Sequence, residues 1–116
     1  MSDAVAFVVP VPPSLNSCFV NAAGKGRVRS AEYKAWMDAA GFLLASQRPG
    51  RVDGPYQVII RLPKEMRGDI DNRGKPLIDL MVKHKITPDD RHLHKLTIER
   101  TPGIASACVS VMTWEG

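Results

Sequence analysis

Prolines punctuate this chain more firmly than any other feature. Pro10, Pro12, Pro13, Pro49, Pro55, Pro63, Pro76, Pro88 and Pro102 leave one long proline-free interval, residues 14–48, and otherwise only short ones in which regular backbone hydrogen bonding can run unbroken. Ala4 to Val11 is apolar and β-branched and closes at Pro12-Pro13, which predicts a first strand with Pro10 at an edge or bulge. Residues 14–29 turn to Asn, Ser, Gly and basic side chains and read as an exposed loop, with Lys25, Arg27 and Arg29 spaced by two. Ser30 can then cap a helix. Glu32 adds negative charge to its first turn, and Tyr33, Trp36, Met37, Ala40 and Leu44 recur at helical spacing as far as about Gln47, ahead of Pro49-Gly50.

Between Gly54-Pro55 and Pro63, the alternation of Tyr56 to Leu62 predicts a second strand. Leu77, Ile78, Met81 and Val82 form the apolar stripe of a second helix from about Asn72 or Arg73 to Lys85, with Pro76 confining its start to the first turn. Thr87-Pro88-Asp89-Asp90 follows, and then two strands, Lys95 to Arg100 and Ala107 to Trp114, expected to form a hairpin through Pro102-Gly103. The order β-α-β-α-β-β describes an α+β fold in which two helices pack on a mixed sheet. With 116 residues, 44% of them apolar, the chain is expected to be one domain over 1–116 with one core. It shows no repeats, low-complexity tracts or linkers.

Sixteen Lys and Arg against twelve Asp and Glu give a net charge of +4, which favours a polyanionic partner. Cys18 and Cys108 stand far apart with no metal-ligand spacing, so both read as small apolar side chains in a reducing compartment. The start of the chain has no basic stretch leading into an apolar one, and no apolar run is long enough to span a bilayer, so a cytoplasmic protein without a membrane partner is expected.

The chemistry concentrates in the segment from Arg67 to Lys75. Asp69 and Asp71 are separated by one residue, and in extended backbone that spacing puts both carboxylates on one side. Asp89-Asp90, beyond the second helix, can bring a third carboxylate to the same end. Such oxygen donors suit Mg²⁺, with Mn²⁺ as an alternative, and without a cation clustered aspartates repel and should titrate high. Lys75, four residues after Asp71, can reach the same mouth to contact a phosphate or orient water. Competing readings are simpler: Asp71 or Asn72 as a helix cap, Asp69 as a loop charge, Pro88-Asp89-Asp90 as a turn, and Lys75 in an intrahelical pair with Asp79.

Other motifs carry less. Gly24-Lys25-Gly26-Arg27 lacks the ending of an ATP-binding loop and fits a basic loop on a DNA backbone better. His92 and His94 have no thiolate or third nitrogen nearby and read as surface residues, not a zinc site. Tyr33, Trp36 and Met37 have the spacing of a helix face against a sheet and read as core.

The spacing of Asp69, Asp71, Asn72, Lys75 and Asp79, followed by Asp89-Asp90, resembles the pattern DxDNxxKxxxD and then DD of the RusA family of Holliday junction resolvases, small phage-associated endonucleases. The turn Pro13-Ser14-Leu15-Asn16 and the helix start Ser30-Ala31-Glu32-Tyr33-Lys34-Ala35-Trp36 are also similar to that family's N-terminal half. The resemblance implies that Asp69, Asp71 and Asp90 bind a catalytic Mg²⁺, with Asp89 a further candidate, and that Lys75 assists phosphodiester hydrolysis. It implies a homodimer too, in keeping with two symmetric nicks requiring two related sites. Lys25, Arg27, Arg29, Arg67, Arg73 and Lys75 are the expected contacts to branched DNA. Two departures stand out: Gly68 where some relatives place a basic residue, and Arg73-Gly74 in place of an apolar pair, which is expected to loosen the helix start. Outside this reading, the chain would be a branched-DNA-binding module without activity, or a structural or protein-interaction domain.

Overall fold

In a computed structural model, which describes residues 4–116, the punctuation becomes a four-stranded mixed sheet, a two-stranded ribbon and two helices. The start of the chain, expected to lack a leader, lies partly outside the described residues. Strands β1 (Ala4–Val9), β4 (Tyr56–Pro63), β5 (Leu93–Thr101) and β6 (Ala107–Thr113) lie in the order β1-β6-β4-β5. β6 runs antiparallel to both β1 and β4, while β5 runs parallel to β4.

Alternation decides which face is covered. Val5, Phe7 and Val9 of β1, Tyr56, Val58, Ile60 and Leu62 of β4, and Ala107, Val109 and Val111 of β6 are buried, while the residues between them are at least partly exposed. Helices α1 (Ala31–Gln47) and α2 (Gly74–Lys83) complete the same core with Tyr33, Met37, Leu44, Leu77, Leu80 and Met81. The α+β class and the two packed helices expected from the sequence are therefore present.

Two expectations change. Residues 14–29, read as a loop, contain a small antiparallel ribbon, β2 (Phe19–Ala22) and β3 (Gly26–Arg29), closed by a turn in which Gly24 and Gly26 take φ of +74° and +70°. Its strands have four residues each and none of them is fully buried, so the alternating apolar signal that marks a strand is missing. The last two strands do not pair with one another, because β4 lies between them. β5 has no buried residue and takes the sheet edge, whereas β4 and β6 must bury their inner faces and take the centre. Pro102-Gly103 thus opens a crossing connection, with Gly103 at φ +81°.

Ser30 caps α1 as its chemistry predicts. Its Oγ accepts from the Tyr33 N–H at 3.1 Å and donates to the Ser17 carbonyl at 2.6 Å, so one hydroxyl ties the helix start to the short turn before β2. Trp36 donates from Nε1 to the Pro10 carbonyl at 2.9 Å, fixing the chain after β1 against the same helix. Cys18 is buried and Cys108 half-buried, both as free thiols. No helix among the described residues is long and apolar enough to cross a membrane.

Candidate functional site

The segment leading to Asp69 is held by two arginines from elsewhere in the fold. Arg100, on β5, donates to the carbonyls of Lys64 at 3.2 Å, Met66 at 2.5 Å and Gly68 at 2.6 Å. Arg73 donates to the Pro12 carbonyl at 2.7 Å and the Arg67 carbonyl at 3.2 Å. Carbonyls that an irregular segment would otherwise leave to water are thereby satisfied by charged donors. Gly68 sits at φ +90°, which strains any other residue, and a Cβ there would lie 3.1 Å from Arg73 Nη2, so a side chain would also crowd the clamp. A Cβ on Gly74 would lie 3.0 Å from Ile98 Cδ1. Gly74, expected to loosen the helix start, also lets it approach β5 closely.

Asp69 follows in extended backbone, φ −84° and ψ 133°, with its side chain not used as a cap, and Asp71 lies in a 3₁₀ turn (Ile70–Arg73). Both are exposed, and among the described residues neither has an ion-pair partner. Lys75 comes next, in the first turn of α2, and its Nζ lies 2.6 Å from Asp90 Oδ2 and 3.2 Å from Asp79 Oδ1. Asp90 begins a second 3₁₀ turn (Asp90–His92) that Asp89 caps by accepting from the Arg91 N–H at 3.0 Å. The other oxygen of Asp79 accepts from the Tyr33 hydroxyl at 3.3 Å.

Charge follows contact. Hydrogen bonding to Lys75, then to Asp89, holds the Asp90 carboxyl below its ordinary value, and the same bond to Asp90 pushes Lys75 up. An aspartate cluster that titrates high, expected from the sequence, is therefore not what Asp90 shows: the Lys75 ammonium supplies the countercharge. Burial pushes the Tyr33 hydroxyl up to about 12, and the Asp79 charge adds to it.

The ribbon faces this cluster. A depression of about 380 Å³ is lined by Leu15, Phe19, Arg27, Lys75 and Asp79. A second, of about 450 Å³, is lined by Arg29, Asp79, Lys83, Asp89 and Asp90 among others. Arg27 lies 4.7 Å over the Phe19 ring and Arg29 lies 5.4 Å over the Tyr33 ring, which orients both guanidinium groups without neutralising them. Lys25 is exposed in the ribbon's turn and Arg67 is exposed beside the Arg73 clamp.

Of the residues singled out from the sequence, the structure joins Lys75 with Asp90 and sets Arg27 and Arg29 at the rims of the adjoining depressions. It joins neither Asp69 nor Asp71 to that pair by a hydrogen bond or ion pair, and among the described residues no three His, Cys, Asp or Glu side chains form a metal-sized group. Arg73, expected at DNA, commits donors to backbone carbonyls. From the sequence Asp79 was legible as an intrahelical partner of Lys75 and as the last aspartate of the family pattern, and Tyr33 as a core aromatic. Their joint contact spans 46 positions of sequence, and no local spacing signals it. His94 stacks on Trp114, with ring centroids 6.2 Å apart.

Lys75 between two carboxylates, with Arg27 and Arg29 lining the adjoining depressions, defines a mixed-charge cleft on an α+β scaffold. Residues 9–112, nearly the whole chain, match the sequence profile of a family described as endodeoxyribonuclease RusA. The chain belongs to the RusA endodeoxyribonuclease family of Holliday junction resolvases. No curated protein sequence gives a significant match.

Proposed function

We propose that this protein resolves four-way DNA junctions by paired symmetric nicks, working as a homodimer and using Mg²⁺, or Mn²⁺ in its place. The observation that carries the reading is Lys75 bound to Asp90 beside the arginine-lined depressions, within a chain of the RusA family. An all-carboxylate donor set, with Asp69 and Asp71 exposed and unpaired among the described residues, suits a hard divalent cation better than a softer one. Asp69, Asp71 and Asp90 would hold that ion, with Asp89 shaping the turn that presents Asp90. When bound, it would polarise the scissile phosphate and lower the pKa of a water.

The chain's own groups do the rest. Lys75 would bring an ammonium within hydrogen-bond reach of a phosphate oxygen, offsetting charge that builds up on the phosphate as its ester bond breaks. Arg27, Arg29 and Lys25 hold the backbone of the branched DNA, and Arg67 extends this surface. A two-fold dimer supplies the second site for the opposing strand.

Asp71→Asn is expected to abolish cutting of a synthetic four-way junction in Mg²⁺ while leaving junction binding within about threefold, a shift under ~1 kcal/mol. Gel analysis of cleavage and binding on the same preparation checks both halves. Near wild-type cutting by Asp71→Asn would remove the metal-site assignment. Salt-sensitive binding by the wild type without cleavage in any divalent ion would leave a DNA-binding module instead.

A further inference from the structure

Lys75 has two carboxylate partners of unequal hold. Its ammonium sits 2.6 Å from Asp90 and 3.2 Å from Asp79. If Asp90 is a cation ligand, a divalent ion and the ammonium compete for one carboxylate. We propose that Asp79, anchored by Tyr33, is a positioning residue that receives the Lys75 ammonium when a divalent cation takes Asp90. The inference rests on the metal-dependent reading given above.

The geometry suits a short transfer. Lys75 and Asp79 are one helical turn apart, so the ammonium needs only a rotamer adjustment to shift its weight from one carboxylate to the other. An ammonium has three donors and can keep its bond to Asp79 while releasing Asp90. Asp79 has a tether of its own: one oxygen accepts from the Tyr33 hydroxyl at 3.3 Å, and Tyr33 is only 1% exposed. The Tyr33 ring packs edge-on to Phe19 at 5.8 Å and stacks with Trp36 at 6.3 Å. Asp79 also lines both depressions, so an ammonium drawn toward it stays at the cleft in which a phosphate would lie. Without Asp79, Asp90 would be the ammonium's sole carboxylate partner among the described residues, and the cation would face undivided competition.

Mn²⁺ binding to the full chain, followed by calorimetry or by the electron paramagnetic resonance of free Mn²⁺, tests this without any cleavage assay. Asp79→Asn is expected to weaken Mn²⁺ binding about two- to fivefold, the range of a solvent-exposed ion pair. Tyr33→Phe, which removes only the hydroxyl, should shift it in the same direction by less. Lys75→Met should tighten binding more than Lys83→Met, which removes the same charge from the rim of the adjoining depression that Asp90 lines. In the Lys75→Met background, Asp79→Asn should have no further effect. Equal weakening by Asp79→Asn with and without Lys75 would overturn the proposal, since Asp79 would then act on the cation by its own charge. An unchanged affinity in Asp79→Asn would overturn it as well. Failure of both the wild type and Lys75→Met to bind Mn²⁺ would instead remove the metal reading, and this inference with it.

Discussion

Lys75 is the residue on which most of the site turns, and its environment gives its charge a defined pH window. Asp90 is held below its ordinary 3.8, so its share of the ion pair is present above that value and is lost as pH falls through the lower folded-state pKa. Lys75 is held above its ordinary 10.5, so its share is complete below that value and is lost as pH rises through the higher folded-state pKa. Both side chains are about half exposed, 48% and 45%, so solvent screens the pair strongly. Lys75→Met is therefore expected to cost about 0.2–1 kcal/mol of stability between these limits and nearly nothing at strongly acid pH. Denaturant unfolding of both proteins at neutral pH and at a series of acid pH values measures the difference; a cost that did not decline as pH falls below the ordinary carboxylate range would mean that the Lys75 side chain stabilises by packing instead. From the sequence, Lys75 could be placed near Asp71 or paired with Asp79 with equal reason. Its shortest contact, to Asp90 fifteen positions away, depends on how α2 and the following turn pack.

At the scale of elements, α1 was the most legible part of the chain. The cap, the acidic first turn and the apolar stripe all occur within one local window, and helix formation responds to that window. The Ser30 hydroxyl also bonds to Ser17, so Ser30→Ala should cost about 1–2 kcal/mol, at the upper end of a cap loss. An unchanged thermal midpoint in that variant would show that the two bonds contribute nothing net. The ribbon and the β5 edge were not legible in the same way. Strands acquire their partners from distant sequence, and the pattern of β5 does not announce that β4 will pair with it in parallel and separate it from β6. The ribbon's four-residue strands have one register of Phe19 to Arg29 and Asn21 to Arg27, which places the two arginines on one face, toward the site.

For the whole molecule, a net charge of +4 says less than where the charges lie. Arg27 and Arg29 are fixed over aromatic rings at the depressions, whereas Arg73 and Arg100 serve the backbone of residues 64–68. Replacing Arg27 and Arg29 together by Ala should weaken junction binding and reduce the slope of log K against log salt by about 2, near 0.9 for each phosphate no longer neutralised. A salt titration of binding that left the slope unchanged would take the ribbon off the DNA. The amino-acid sequence by itself determined the α+β class, the limits of α1, the family and the carboxylate-rich segment around Lys75, because caps, periodicity and motif spacing act within a turn or two of chain. Only the tertiary structure decided that β4 separates β5 from β6, that two arginines clamp the approach to Asp69, and that Tyr33 and Asp79 join Lys75 and Asp90. Each of those depends on how segments distant in sequence pack: burial sets the strand order, and that packing brings the polar partners together where local spacing leaves several equal.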